Sequence, residues 1–439
     1  MVKMKVCFDI DCCDICYSYL DGFLDNNLEI SDVSEADIIC LVGCGYTQNS
    51  INKTYQRILS CLNDKKENAR LAIFGCPTKY KDFFDEIKTI PEIDFIAQSS
   101  GKEMQDDIAK YLGSQLNREM QLNDVGFNLE NAKRINVVVQ DGCNNRCAFC
   151  KSNYLNLKLA SRPISAILEI IKFASEERGV NEVNITGLNP SQYGVDLYKT
   201  EKLTELIQKI SAFNGVDKIF LGMLCIQDMS QNLINEIITN EKIKRVMIPI
   251  QSQDDRLLKL MNRRNTAEQA EKLFKLINKE RPDIFLETIF LACYPTETKD
   301  NIEKTAEFLN TVNISNPNLS FYKYGQNVPS LKSENTATMS IPERDKLVDL
   351  YLEKVVPIID KQRKELLSRP VSGTLIKRDE EFDYYSTTYR FTTLEYSVRT
   401  KRNNNLTLYD NANLAVDYLP SEENNLYRVS SNLGNGIVL

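Results

Sequence analysis

Short apolar runs and amphipathic stretches take turns along most of this chain. KVCFDI, ADIICLVG and ARLAIFG are too short for helices and read as buried strands. Between the second and third, SINKTYQRILSCLNDKKEN carries its apolar residues at helical spacing. KEMQDDIAKYLGSQL reads as a further helix that closes this unit. Strands alternating with helices predict a parallel α/β sheet. The polar stretch 121–133 marks the first boundary.

From Ile135 the alternation restarts and is more regular. INVVVQ, EVNITG, DKIFLGML, RVMIPIQ, IFLETIFLAC and NLSFYKY read as strands. ISAILEIIKFASEERG, LTELIQKISAF, LINEIITN, AEQAEKLFKLINKE and TKDNIEKTAEFLNTV read as the helices between them, the first with Gly179 as its C-cap. About six βα units predict a partial barrel, with function on the loops at the carboxyl ends of its strands. SIPERDKLVDLYLEKVV then begins a linker helix, with a capping box of Ser340 and Glu343 and with Pro342 in the first turn. Beyond it, TTYRFTTLEYSVRTKRNNNLTLYD is Thr- and Tyr-rich and alternating, which predicts antiparallel β structure. The expected domains are 1–124, an N-terminal parallel α/β domain; 134–340, a partial (β/α)6 barrel; 341–368, a linker helix; and 369–439, a small all-β module.

Composition narrows the chemistry. A length of 439 residues suits two to three domains. No apolar run approaches a membrane span, and the N-terminus lacks the apolar core of a signal peptide, so a reducing cytoplasm is expected and no membrane partner. There the 13 cysteines are thiols or metal ligands and not disulfides. A formal net charge of −7 argues against a partner held mainly through its phosphates. The chain has no histidine, which excludes Cys2His2 and Cys3His zinc sites, Ser-His-Asp and Cys-His catalysis, and histidine acid–base chemistry.

The segment DGCNNRCAFC follows the first barrel strand and spaces Cys143, Cys147 and Cys150 as C-x3-C-x2-C. Three thiols are too many for one disulfide and one too few for a closed metal site. On a four-iron cluster they would leave one iron open to a small molecule. Zinc with a distant fourth ligand, or buried core thiols, are the alternatives; Asn144, Asn145 and Arg146 read as an exposed loop and not as core. In the N-terminal domain, Cys13, Cys44 and Cys76 each follow a strand, on the sheet edge where α/β proteins bind ligands. Cys12 and Cys16 leave the first member of that trio open, while Cys7, Cys40 and Cys61 lie inside strand or helix patterns and read as buried thiols.

The C-x3-C-x2-C loop, its place after a barrel strand and the aromatic Phe149 before the last cysteine resemble the radical SAM superfamily. With the N-terminal trio, the resemblance narrows to the radical SAM methylthiotransferases and covers about Lys5 to Tyr324. CGYTQNSI, GCPTKYKDFFDEIKTIPEIDF, ASRPISAILEI, PSQYGVDLY, IPIQSQDDRLLKLMNRR and ETIFLACYPTET are similar to segments of its RimO branch, which acts on an aspartate of a ribosomal protein. There are departures. Asn153, Asn156 and Leu157 stand where the family has Pro, Arg and Gly; Cys293 stands where glycine is common; and FPGET has become Tyr294 to Thr298. Val42 and Gly43 replace the Asn or Thr usual before the second cysteine, and the C-terminal module barely resembles the family's TRAM module.

The resemblance implies two [4Fe-4S] clusters, one on Cys143, Cys147 and Cys150 and one on Cys13, Cys44 and Cys76, with S-adenosylmethionine on the open iron of the first. It implies conversion of a C–H to a C–SCH3 group, with a reductant such as flavodoxin or ferredoxin. Phe149, Glu182, Gln251 and Arg263 are the candidate cofactor contacts, Thr186 and Asn189 weaker ones, and Tyr193 and Asp196 candidate structural residues of the YGVDL phrase. The RimO-like phrases favour a protein or peptide substrate. A tRNA adenosine is the alternative, for which tyrosines interleaved with arginines (Tyr389, Arg390, Tyr396, Arg399, Tyr427, Arg428) offer stacking faces. A non-catalytic iron–sulfur carrier is the third reading, opposed by the open coordination at both sites.

Overall fold

A computed structural model describes residues 4–11, 28–45, 48–117, 134–150, 158–322, 339–367, 371–378, 382–387, 398–401 and 411–414. Cys12, Cys13, Cys16, the boundary stretch 121–133, Asn153, Asn156, Leu157, Tyr389, Arg390, Tyr396, Tyr427 and Arg428 lie outside these residues. The chain divides into two compact units, residues 1–145 with 151–218 and residues 146–150 with 219–439.

The first unit opens with β1 (Met4–Asp11), β2 (Leu28–Ile30), β3 (Ile38–Gly43), α1 (Gln48–Asp64), β4 (Arg70–Gly75), α2 (Lys81–Ile87), β5 (Phe95–Ile96) and α3 (Lys102–Leu116). The strands are parallel, in the order β2-β1-β3-β4-β5. This is a doubly wound order, in which ligands bind beyond the carboxyl ends of the strands near the reversal between β1 and β3. Alternation explains the unbroken apolar runs. Ile38, Cys40 and Val42 pack with Met104, Ile108 and Leu112 of α3 on one face. Ile39 and Leu41 pack with Ile58 of α1 and Phe83 of α2 on the other. A strand buried on both faces has no polar side to show.

The same unit holds β6 (Arg134–Asp141), β7 (Ala160–Ser161), α4 (Ile164–Arg178), β8 (Glu182–Gly187), the short α5 (Val195–Tyr198) and α6 (Leu203–Ser211). β6 pairs with β8 in parallel and with β7 antiparallel. α4 ends at Gly179, whose φ of 66° is the left-handed cap expected there.

In the second unit, β9 (Lys218–Leu221), α7 (Gln231–Thr239), β10 (Ile243–Met247), α8 (Asp255–Leu260), α9 (Ala267–Glu280), β11 (Phe285–Ala292), α10 (Lys299–Thr311) and β12 (Asn316–Phe321) continue the alternation. β9, β10, β11 and β12 are successive parallel neighbours. The predicted linker helix is two helices, α11 (Ile341–Lys354) and α12 (Val356–Leu367). The break falls at Val355, and Pro357 sits in the first turn of α12, where its missing N–H is no loss. The capping box of Ser340 and Glu343 is formed. The described strands β13 (Val371–Arg378), β14 (Phe382–Thr387), β15 (Val398–Lys401) and β16 (Asn411–Leu414) pair antiparallel in the order β15-β14-β13-β16.

Candidate functional site

Among the described residues no cysteine is joined in a disulfide. The cysteines fall into two kinds. Cys7, Cys40 and Cys61 are buried. Burial pushes the Cys7 thiol up to about 11 and that of Cys61 to about 12, and raises Cys40 further still, so all three stay protonated and inert. Cys44 and Cys76 are partly exposed at the carboxyl edge of the sheet.

Register brings the second pair together. Asp11, Gly43 and Gly75 are successive Cα partners on β1, β3 and β4. Cys44 and Cys76 therefore follow two level strand ends. The residue that follows Asp11 in sequence is Cys12, and Cys13 is one further. Glycine is required at the level pair. Gly75 has φ of 101°, and a Cβ there would lie 2.4 Å from the Gly43 carbonyl oxygen. A Cβ on Gly43 would lie 2.3 Å from Thr54. The GCPTKY segment then ties the edge: Thr78 Oγ1 lies 2.8 Å from the Gly75 carbonyl, and the Tyr80 hydroxyl donates to the Gly45 carbonyl at 2.9 Å.

The barrel loop leaves the carboxyl end of β6 through Gly142, whose φ is 68°. A Cβ at Gly142 would lie 1.9 Å from the Lys158 carbonyl oxygen, so the returning chain needs glycine there. Gln140 Nε2 donates to the Gly142 carbonyl at 3.0 Å. The backbone N–H of Asn144 donates to Gln192 Oε1 at 3.0 Å, and Asn145 N–H points at Cys143 Sγ at 3.4 Å. Further along, Ala148 N–H donates to the Met261 carbonyl at 2.9 Å and Asn262 Nδ2 to the Arg146 carbonyl at 2.7 Å. Cys150 N–H closes a turn on the Cys147 carbonyl at 3.1 Å. Phe149 packs against the apolar group of Leu257, Met261, Leu291, Tyr294 and Tyr322.

The YGVDLY phrase holds the chain as it returns from the loop. Asp196 accepts from the Ser161 N–H at 2.8 Å and the Ser161 hydroxyl at 2.5 Å. The buried Tyr193 hydroxyl donates to the Arg162 carbonyl at 2.7 Å, and Ile164 N–H donates to the Tyr198 hydroxyl at 2.9 Å. Tyr193 and Asp196 are thus structural in effect, while Gln192 of the same phrase reaches the cysteine loop itself. Nothing in the spacing marks Gln192; only its place in PSQYGVDLY hints at it.

The remaining cofactor candidates separate. Arg263 is buried, with Nη1 3.9 Å from Cys147 Sγ and 3.6 Å from Cys225 Sγ, and Nη2 3.0 Å from the Pro249 carbonyl. Burial raises the Cys147 thiol, and the Arg263 charge partly opposes it. Gln251 lies past the carboxyl end of β10 with φ of 71°, bridged to β11 through hydrogen bonds with Ile289 and Leu291 of 2.8 Å each. A non-glycine residue held in this region stores strain, a feature that gathers at functional sites. Thr186 and Asn189 are buried at and just past the carboxyl end of β8.

Glu182 must be corrected. It is the first residue of β8 and pairs in register with Arg134, the first residue of β6, whereas the loop leaves at Asp141. Seven residues of strand, roughly 23 Å, separate the two ends. Its carboxylate is 2.8 Å from Arg134 and 2.8 Å from Lys218. Burial pushes it up, and the Arg134 and Lys218 charges more than offset this, holding it below the usual glutamate range. It is an internal ion pair, remote from the loop.

The YPTET turn explains two departures. Cys293 has φ of 57° and Thr296 φ of 68°, so both occupy the left-handed backbone that favours glycine. Arg256 holds Thr296 through its hydroxyl and its carbonyl, both at 2.8 Å. The buried Glu297 accepts from Cys293 N–H at 2.5 Å and from the Tyr351 hydroxyl of α11 at 2.7 Å. Burial pushes Glu297 up to about 7.

Among the described residues no three His, Cys, Asp or Glu side chains converge as a ready site for a single ion. A four-iron cluster does not ask for that, because each thiolate takes its own iron. The donor set fits such a cluster: thiols on a short loop, no imidazole anywhere, and a buried guanidinium beside the sulfur.

Comparison with known proteins agrees with this geometry. Residues 137–309 match the Radical SAM superfamily. The ribosomal protein uS12 methylthiotransferase RimO of Acetivibrio thermocellus is 28% identical over 388 residues, 83% of this chain and 84% of the relative. The protein of that name from Clostridium novyi is 29% identical over 364 residues, 76% of this chain and 80% of the relative. Among solved structures, the radical S-adenosylmethionine methyltransferase TsrM of Kitasatospora setae superposes with a TM-score of 0.53 at 9% identity, over 75% of this chain and 74% of that one, a likeness of fold. Residues 137–309 are thus a radical SAM domain, and the chain is an α/β transferase that works with S-adenosylmethionine and [4Fe-4S] clusters. Over most of its length the chain is similar to methylthiotransferases of the RimO branch. No helix among the described residues is long and apolar enough to cross a membrane.

Proposed function

We propose that this chain converts a C–H bond of an aspartate-like residue in a protein to C–SCH3, with ribosomal protein uS12 the first substrate to test. The observation that carries this reading is the second thiol site: Cys44 and Cys76 follow the level strand ends Gly43 and Gly75. The similarity to uS12 methylthiotransferases, over 83% of this chain, supports it. When bound, S-adenosylmethionine supplies both the hydrogen-abstracting radical and, from a second molecule, the methyl group. The residues' tasks are to hold the loop (Gln140, Gln192, Asn262), to shelve Phe149, and to present Cys13, Cys44 and Cys76 for a cluster that carries the sulfur. A low-potential flavodoxin or ferredoxin in a cytoplasmic setting is the expected electron source.

The test is anaerobic reconstitution, iron counting and incubation with S-adenosylmethionine, reductant and uS12. Two clusters, 5′-deoxyadenosine and a gain of one SCH2 unit on uS12 are expected. A single cluster would overturn the reading. Modification of tRNA with no modification of uS12 would move the substrate to adenosine.

A further inference from the structure

Arg263 has surroundings unlike those of the other buried arginines. Arg245 pairs with the carboxylate of Glu287. Arg281 pairs with Asp283 at 2.8 Å and donates to the carbonyls of Ile237, Asn240 and Ile243. Arg263 is 7% exposed, and its hydrogen bonds go to two sulfurs and one carbonyl. Its Nε is buried without a partner. Asp228, whose charge is felt at Cys147, pairs with Arg264 at 2.8 Å instead. A guanidinium is always charged, and burying it without an anion is costly. The groups aimed at it are thiols, which become anions when they bind iron.

We propose that Arg263 is the fixed counter-charge of the cluster held by Cys143, Cys147 and Cys150, and that Cys225 is a neighbouring thiol that accepts from Arg263 and binds no iron. This rests on the cluster assignment made above. Adding an electron makes the cluster more negative, so a cation fixed beside Cys147 favours the reduced state. Arg263 is a positioning and potential-setting residue in this account; it acts through Cys147 and Cys225.

The experiment uses the full-length chain carrying Cys44→Ala and Cys76→Ala, so that one cluster signal remains. Its iron content is measured, and the reduced fraction is read by electron paramagnetic resonance at a series of poised potentials. Arg263→Met should keep its iron while the reduced-to-oxidised ratio at fixed potential falls about tenfold, equivalent to about 59 mV for a one-electron couple. Arg263→Lys, which keeps the charge, should recover most of that ratio. Cys225→Ser should keep its iron. Full iron with an unchanged ratio in Arg263→Met would overturn the counter-charge. Iron loss from both Arg263 variants would also overturn it, making the residue a structural support. Iron loss from Cys225→Ser would make Cys225 a ligand. No iron in the parent would instead refute the cluster assignment, and the inference would fall with it.

Discussion

The two ends of the parallel strands solve opposite problems. At the amino ends, charges are closed on one another: Glu182, the first residue of β8, with Arg134 and Lys218, the first residues of β6 and β9. At the carboxyl ends, buried polar groups hold the segments that carry the thiols: Gln192 and Tyr80 bond backbone of the cysteine loop and of the Cys44 loop, and Arg263 lies against the buried Cys147 sulfur. At these positions the amino-end charges are spent on one another, and the thiols lie toward the carboxyl ends. Acidic residues therefore mean different things at the two ends.

Substitution of the thiols should break this contrast most completely. Cys147→Ala should abolish 5′-deoxyadenosine formation and remove about half of the reconstituted iron, with thermal stability unchanged. Cys44→Ala with Cys76→Ala should remove the other half and end methylthiolation, while 5′-deoxyadenosine still forms. Loss of 5′-deoxyadenosine from the Cys44→Ala, Cys76→Ala chain as well would erase the division of labour.

The amino end should behave in the reverse way. Glu182→Ala strands two cations, and its cost should be on the order of 3–5 kcal/mol of stability in urea unfolding. S-adenosylmethionine affinity, read by calorimetry on the folded fraction, should not move. A weakened affinity at unchanged stability would return Glu182 to the cofactor.

Glu297 sharpens the comparison because it is a buried acid near the carboxyl ends with only hydroxyl and N–H partners. Its carboxyl is raised from 4.5 to about 7, so the folded state holds the proton more tightly than the unfolded chain. Stability should then fall as pH rises from 4.5 to about 7, by about 3 kcal/mol in all, and stay low above that. Glu297→Gln, uncharged at every pH, should flatten this slope in melting curves taken across the range. A slope that survives the change would assign it to other groups.

The smallest effect expected is that of Gln192→Ala. It removes one acceptor from the Asn144 N–H, worth about 1 kcal/mol. Reconstituted iron in the barrel cluster should become more labile to chelator while the N-terminal cluster is untouched. Equal lability at both would mean general loosening.

Much of this was legible beforehand, for local reasons. EVNITG and AEQAEKLFKLINKE coincide with β8 and α9, because strand and helix periodicity are written in neighbouring residues. The three-cysteine loop was legible because its spacing lies within ten residues. The sequence predicts one linker helix where two form, because a proline's position relative to a break depends on what the helix packs against. β2 and β5, of three and two residues, are too short to carry a period.

The sequence by itself determined which thiols are local to one another, where strands and helices alternate, and that no imidazole takes part. Tertiary structure decided which residues meet across distance. It levelled Gly43 with Gly75, set Gln192 on a loop 48 residues away, brought Arg263 to a sulfur 116 residues away and left Glu182 at the wrong end for a cofactor. The physical reason is that periodicity records only which face of an element is buried. Register between strands, and the aim of a long side chain across a core, are fixed by packing between segments far apart in the chain.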